Sequence, residues 1–501
     1  MKIVLAGYNL DHDIVQEIKR SSPELKELTP ETISAAYARI SRSPLSVDEL
    51  RRAARKEVEK ARKSNRNIVF GMGHSSIAEH AVFNIDVLNV SRLLVEEIEK
   101  SRLCSYTEKS QRYVLFENDF VVPQELKEAG LEELFCATIS EQNHLYHELY
   151  AKLRKHLFKV HARLARDPAN HDTLDGWAKE DARYIISLAT ETQLGMTLNA
   201  RNLELMLRRL AAHPLEEARE FSRKLHEITA EIAPSLVKYG RPTGFELDTR
   251  PLLSDISRQT IAKWGKKKWD AKPRTLGKKG NVTLYDATAD ADERVVALLL
   301  FASTGHSIEK CLNVATLMDA AEKEDLIKAS LRNMKMHDAP VREFENIDLY
   351  FELTVSASCF AQLKRHRMAT IHTQEYDPAL GVTVPSSIME AGLVRPFREM
   401  ISKSEEAYEA IRKTSRQAAN YILTNAHRRR VSLKINAREM YHIARLRADS
   451  HAQWDIRETY ERMLALARRA MPLTMMLAVG KDGFEDLYSR SFSGKGSIQP
   501  E

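Results

Sequence analysis

The feature that most constrains this chain is that it runs through one order of motifs twice. Gly73-His74-Ser75 is followed by Phe83, Ile85 and Val87 alternating with Asn84 and Asp86, and later by Asn199-Ala200-Arg201. Gly305-His306-Ser307, a longer alternation from Ile347 to Val355, and Asn436-Ala437-Arg438 repeat that order. Alternation with period two marks a strand with one buried face. Self-similarity at so long a period means duplicated domains rather than a solenoid. A chain of 501 residues needs more than one core in any case. The spacing between copies widens midway, because the second carries an extra helical stretch near Met318 to Met334 and shortens a later segment. Residues 1–240 and 283–501 are therefore read as the two domains. Residues 241–282, with RPTG, a possible amphipathic helix and the basic run WGKKKWDAKPR, read as a partly ordered linker.

Within each copy the elements can be placed coarsely. MKIVLAG is too short and too soon polar for a signal peptide and reads as a first strand. Helix formers with three- and four-residue apolar spacing fill Pro30 to Lys63, and a short helical run covers Leu93 to Ile98. Lys100 to Tyr113 is polar, and Leu126 to Lys238 reads as almost wholly helical, broken at Asp167 to Asp175. Arg428-Arg429-Arg430 reads as a charged loop before the strand-like Val431 to Ile435. Asn436 can cap a helix, with Glu439 returning the hydrogen bond, and that helix would carry Met440, Ile443, Arg447, His451 and Trp454 on one face. An arginine in an apolar stripe must meet an anion or a π-system, since an unpaired buried charge costs several kcal/mol. Arg447 is thus a site candidate, with a structural pairing to Asp449 or Asp455 as the alternative.

Composition excludes several classes. No run approaches the roughly 20 apolar residues of a membrane helix, the longest being Val295 to Ala302. Cys104, Cys136, Cys311 and Cys359 lie far apart with no C-x-x-C, which argues against a disulfide framework or a zinc site and for the reducing cytoplasm. Cys104 reads as a small buried cysteine rather than a reactive thiolate. The net charge of +6, from 76 basic and 70 acidic residues, does not argue for nucleic acid. Trp264 and Trp269 in the lysine run could stack on bases, but a solvated linker is the simpler reading.

Lys100-Ser101-Arg102 with Ser105, Glu108, Ser110, Arg112 and Tyr113 in the first copy, and Gln362 with Arg365-His366-Arg367 in the second, resemble the signature of the flavin-dependent thymidylate synthases. Leu446 to Trp454, LRADSHAQW, is similar to that family almost verbatim, and the likeness spans roughly residues 65–215 and 300–480. The resemblance implies an α+β fold in each half, an antiparallel sheet packed with long helices. It implies FAD, with NADPH and methylenetetrahydrofolate as co-substrates, and methylation of a uracil nucleotide such as dUMP at C5. It makes Arg447 the arginine that polarises the uracil, and Arg365, His366, Arg367, Asn436, Arg438, His442 and His451 cofactor contacts. Gln362, Glu108, Ser110, Arg112 and Arg183 become substrate-binding residues.

The two copies depart from the family in complementary ways. The first keeps the phosphate loop but has Leu210 where Arg447 would stand and Pro214 where His451 would. The second keeps Arg-His-Arg and Arg447, but Thr370, Thr373, Glu375 and Asp377 replace the loop, and Asn420 replaces the residue answering Arg183. A tandem chain related to tetramers of single domains is expected to be a homodimer. The alternative is a non-catalytic or substrate-shifted relative that keeps the fold for assembly, flavin or nucleotide binding.

Overall fold

A computed structural model of the chain describes residues 1–10, 29–39, 45–67, 75–110, 115–116, 119–238, 240–265 and 275–492. The chain divides into two compact units, Met1–Trp269 with Ala391–Leu423, and Asp270–Glu390 with Thr424–Glu501.

The first unit holds an antiparallel sheet of β1 (Lys2–Tyr8), β2 (Val82–Ser91), β3 (Ser105–Glu108) and β4 (Glu191–Asn199) in the order β1-β2-β4-β3. Phe83, Ile85 and Val87 point into the core while Asn84 and Asp86 face water, as the alternation requires. The helical expectation for the tract around β4 fails. Thr192, Leu194, Met196 and Leu198 are buried at every second position, a set that a helix would scatter around its circumference and that a strand collects on one face. The short helix α1 (Arg92–Ile98), the long α2 (Glu132–Val160), α3 (Ala200–Ala211) and α4 (Glu216–Ala230) complete the layer.

A segment from the second repeat belongs to this unit. The helix Val394–Arg412 lies along α2, and the buried Gln142 donates from Nε2 to Ser404 Oγ at 2.8 Å and to the Ile422 carbonyl at 2.9 Å. Leu188 N and Ala189 N donate to the carbonyls of Leu423 and Tyr421 at 2.8 and 3.0 Å. Glu217, fully buried among them, accepts from Ser91 N, Ser91 Oγ and Tyr421 OH at 2.8, 2.6 and 2.6 Å. Burial nevertheless raises its carboxyl above the usual range, the three hydrogen bonds only partly opposing it. The helix Gly244–Trp264, in the stretch read as linker, buries no side chain. Gly73, His74, Trp269 and most of the basic run lie outside the described residues.

The second unit repeats the sheet. β5 (Gly277–Lys279) is an added edge, and β6 (Val282–Ala287), β7 (Asp348–Ser356), β8 (Thr370–Thr373) and β9 (Arg428–Asn436) run β5-β6-β7-β9-β8, all antiparallel. With β5 set aside, this is the order of the first sheet. α5 (Ala291–Ser303), α6 (Ala357–Leu363), α7 (Ala437–Arg447) and α8 (Trp454–Ala470) pack against it, and the extra helix Ala320–Leu331 occupies the insertion. Each half is thus α+β with an antiparallel sheet.

Two further expectations are corrected here. Arg428, Arg429 and Arg430 are not a loop but the start of β9. Arg429 is buried, its guanidinium 4.2 Å from the Tyr376 ring centroid and 4.8 Å from that of Phe360, with Nε donating to the Gln374 carbonyl at 2.7 Å. Those ring faces and that carbonyl give the cation the partners an interior strand position demands. The helix from Asn436 also does not reach Trp454: α7 ends at Arg447, and Gln453 opens α8 by accepting from Asp455 N and Ile456 N at 3.1 and 3.3 Å. Asp449, accepting from His451 N at 3.0 Å, offers the backbone a competing turn at the break.

All four cysteines are free thiols, Cys104 among the buried ones, and no described helix is long and apolar enough to cross a membrane. The alternation in β7 predicts an unequal response to truncation. Phe351→Ala, at a fully buried site, should cost about 3–5 kcal/mol in urea unfolding, and Tyr350→Ala, at 42 % exposure, less than about 1 kcal/mol.

Candidate active site

The site grows from two corners where a strand of the second unit turns into a helix. At the end of β7, Ser356 Oγ accepts from Cys359 N at 2.9 Å, which caps α6, and donates to the buried Asp455 at 2.6 Å. That cap directs α6, buried along its whole length, so that Gln362 stands in its last turn and Arg365-His366-Arg367 follow in a tight bend. His366 is buried, Arg365 exposed and Arg367 half-buried. At the end of β9, Asn436 Oδ1 accepts from Glu439 N at 2.8 Å and starts α7. One turn apart on α7 stand Glu439 and His442, with Arg447 at its end.

These corners meet at Arg447. Its Nε donates to His366 Nε2 at 3.0 Å, and Nη1 and Nη2 donate to the side-chain and backbone oxygens of Gln362 at 3.1 and 3.4 Å. Gln362 Nε2 in turn reaches Gln453 Oε1 at 3.4 Å, the atom that caps α8. Burial, then the Arg447 cation, hold the His366 imidazole well below its ordinary pKa, so it is neutral and can accept from a guanidinium. Burial and then Arg445 and Arg447 lower His442 as well.

Glu439 departs from its expected role. Its carboxyl does not return a hydrogen bond to Asn436; it stands 3.9 Å from His366 Nδ1, mostly buried, and burial pushes its pKa up to about 7. The sequence reading used Glu439 only as a capping partner, yet its three-residue spacing from His442 already put both on one helix face. Three potential ligand atoms, one each from His366, Glu439 and His442, lie within 4.8 Å of one another, a cluster that the cysteine and histidine spacings did not suggest.

Other expected site residues stand apart from this cluster. The Asn436 side chain is spent on the cap, and Arg438 turns to the Pro340 carbonyl at 2.7 Å and to Glu345 at 3.1 Å. His451, expected on the apolar face, is 80 % exposed at its side chain and pairs with Asp449 at 2.9 Å, because it falls in the break between α7 and α8. In the first unit Glu108 is buried against Arg92, Nη1 to Oε1 at 2.7 Å, a partner that sequence reasoning missed. Ser110 is half-buried beyond β3, Arg183 is buried in the turn Arg183–Ile185, and Arg112 lies outside the described residues.

The duplication seen in the two sheets is matched by comparison with known proteins. The chain belongs to the thymidylate synthase complementing protein family, whose model matches residues 24–235 and again 283–473. A UPF0159 protein of Chlamydia muridarum is 24% identical over 418 residues, covering 80% of this chain and 77% of its own. A flavin-dependent thymidylate synthase of Clostridium tetani is 28% identical over 219 residues, 43% of this chain and 83% of its own. A UMP/dUMP methylase from Streptomyces cacaoi, solved with 5-Br dUMP, matches with 20% identity and a TM-score of 0.33 over 40% of this chain and 95% of its own.

The raised Glu439 pKa has a thermodynamic consequence. Unfolded, this carboxyl titrates near its ordinary value of 4.5; folded, burial pushes it up to about 7. Between those values the folded chain binds the extra proton, so stability falls as pH rises through the window, and the cost persists above it. Glu439→Gln does not titrate, so its Tm relative to the parent chain should rise between about pH 5 and pH 8, which differential scanning fluorimetry can follow.

Proposed function

We propose that the chain is a flavin-dependent methyltransferase that adds a methyl group to C5 of dUMP or a related pyrimidine nucleotide. The observation that carries this reading is Arg447, fixed by His366 and Gln362 at the meeting of α6 and α7, within a chain that matches the family twice. A guanidinium held this way presents N–H donors to a uracil carbonyl and can stabilise the negative charge that develops there. The flavin-dependent name of relatives such as that of Clostridium tetani supports a flavin cofactor.

The donor set of the second unit fits such a group. Arg365 and Arg367 flank the neutral His366, so planar forks suited to pyrophosphate stand beside an uncharged imidazole suited to a heteroaromatic edge. These three and His442 are the residues that would hold FAD, which supplies redox chemistry, with NADPH and methylenetetrahydrofolate as co-substrates. Asn436 and Arg438 support the site through the helix cap and the contact to Glu345. The first copy is a partner without its own chemistry: Leu210 is fully buried where the arginine would be, and Glu108 is already neutralised by Arg92. Ser110, Arg112 and Arg183, with Glu108 holding the loop through Arg92, are the residues through which that copy would contribute to a nucleotide site in a cytoplasmic homodimer.

The purified chain should be yellow, with about one flavin per chain, and Arg367→Ala should lower that occupancy more than Arg102→Ala, because only the second copy carries the intact tripeptide. Incubation with NADPH, methylenetetrahydrofolate and dUMP should yield a methylated nucleotide by mass spectrometry. Arg447→Ala should lower turnover by a factor on the order of a hundred while the circular dichroism spectrum is kept. A colourless protein that methylates no pyrimidine nucleotide would replace this reading with a non-catalytic one.

A further inference from the structure

The His366, Glu439 and His442 cluster has the composition of a metal site, but two arginines decide otherwise. Arg447 Nε donates to His366 Nε2 at 3.0 Å, and Arg445 Nη2 contacts His442 Nδ1 at 3.2 Å. A guanidinium only donates, so each contacted nitrogen must be the lone-pair nitrogen of a neutral ring, and the ring proton sits on the other. His366 therefore carries Nδ1–H and His442 carries Nε2–H. Nδ1 of His366 is the nitrogen that faces Glu439, and the two rings meet edge to face with centroids 6.1 Å apart. A divalent cation would need the positions these protons hold and would have to break both arginine contacts. The Nδ1–H of His366 facing a carboxyl suits a carboxylate acceptor instead.

We propose that Glu439 is the positioning residue of this site: its carboxylate accepts the Nδ1–H of His366, which fixes Nε2 as acceptor and thereby aims Arg447. The inference rests on the reading of Arg447 as the activating group. At 3.9 Å the pair is longer than a hydrogen bond, so the Glu439 side chain, whose carboxyl makes no hydrogen bond among the described residues, must rotate to close it. Around Glu439 stand Arg438 and His442 on α7, His366 beyond α6 and the Tyr460 hydroxyl on α8, while Arg447 and Arg365 act on His366, and Arg445 and Arg447 on His442. With both imidazoles held neutral by burial and neighbouring cations, the carboxyl is the group of this set that changes charge near neutrality.

Nitrogen-15 NMR of histidine-labelled protein at about pH 8 tests the arrangement without substrate, with His366→Gln assigning the signal. The expected result is Nδ1–H on His366 in the parent chain, a mixed tautomer in Glu439→Ala, and the parent tautomer in Glu439→Gln, whose amide oxygen can still accept. In the methylation assay, Glu439→Ala should lower kcat on the order of tenfold with KM little changed, and Glu439→Gln should keep most of kcat while losing the activity step near pH 7. The proposal is overturned by an Nε2–H tautomer in the parent chain, by an unchanged tautomer in Glu439→Ala, or by stoichiometric Zn²⁺ binding that Glu439→Gln abolishes. Absence of any methylation would sink the functional reading alone, because the tautomer is measured on the protein by itself.

Discussion

Both units depend on the same device, a serine that ends the central strand and faces two ways. Ser91 Oγ accepts from Leu94 N at 2.9 Å and donates to Glu217 at 2.6 Å; Ser356 Oγ accepts from Cys359 N at 2.9 Å and donates to Asp455 at 2.6 Å. One hydroxyl thus caps a short buried helix and ties it to a carboxylate on a later helix. Without that tie the helix would enter the core with an open N–H group and the buried carboxylate would lose one of its donors, each a cost of about 1–3 kcal/mol. The direction of α6, and so the place of Gln362 and His366, follows from this corner.

The same corner leads to different ends in the two copies. After α1 the first copy continues into Lys100-Ser101-Arg102, with Lys100 at the surface in a bridge to Glu97. After α6 the second continues into Arg365-His366-Arg367, and the buried imidazole becomes the acceptor for Arg447. The two copies differ at the corresponding positions: Leu210 is fully buried core where the second copy has Arg447, and the Glu108 carboxylate is paired with Arg92 inside the protein. Asymmetry of this kind is packing in one half and polar contacts in the other, on one backbone plan.

What could be read from the sequence followed periodicity and motif. The strands at Phe83 to Val87 and Ile347 to Val355 stood out because polar and apolar residues alternate cleanly, and the duplication because the motif order repeats. β4 was hidden inside a helical tract because helix formers flank it on both sides, although Thr192, Leu194, Met196 and Leu198 carried the signal. The arginines of β9 were hidden because a charge run reads as a surface; the rings of Phe360 and Tyr376 that cover Arg429 are 69 and 53 residues away in sequence. Arg447 was legible as a cation out of place, but its partners were not, since His366 lies 81 residues and Gln362 85 residues distant.

Glu439 marks the limit of local reasoning most clearly. Asn436 followed at the third position by a glutamate satisfies the pattern of a reciprocal cap, and the backbone half of that cap is formed. The side-chain half competes with a field set by distant residues: His366 faces the carboxyl from beyond α6, and Arg438 lies beside it on α7. A capping hydrogen bond contributes about 1 kcal/mol, and burial that pushes the carboxyl up to about 7 works against its charged form. A fold selected for stability alone would keep the cap. The carboxyl is held inward beside the imidazole that carries Arg447, at a cost in stability, and that is the pattern expected where a residue serves the chemistry of a site rather than the helix it stands on.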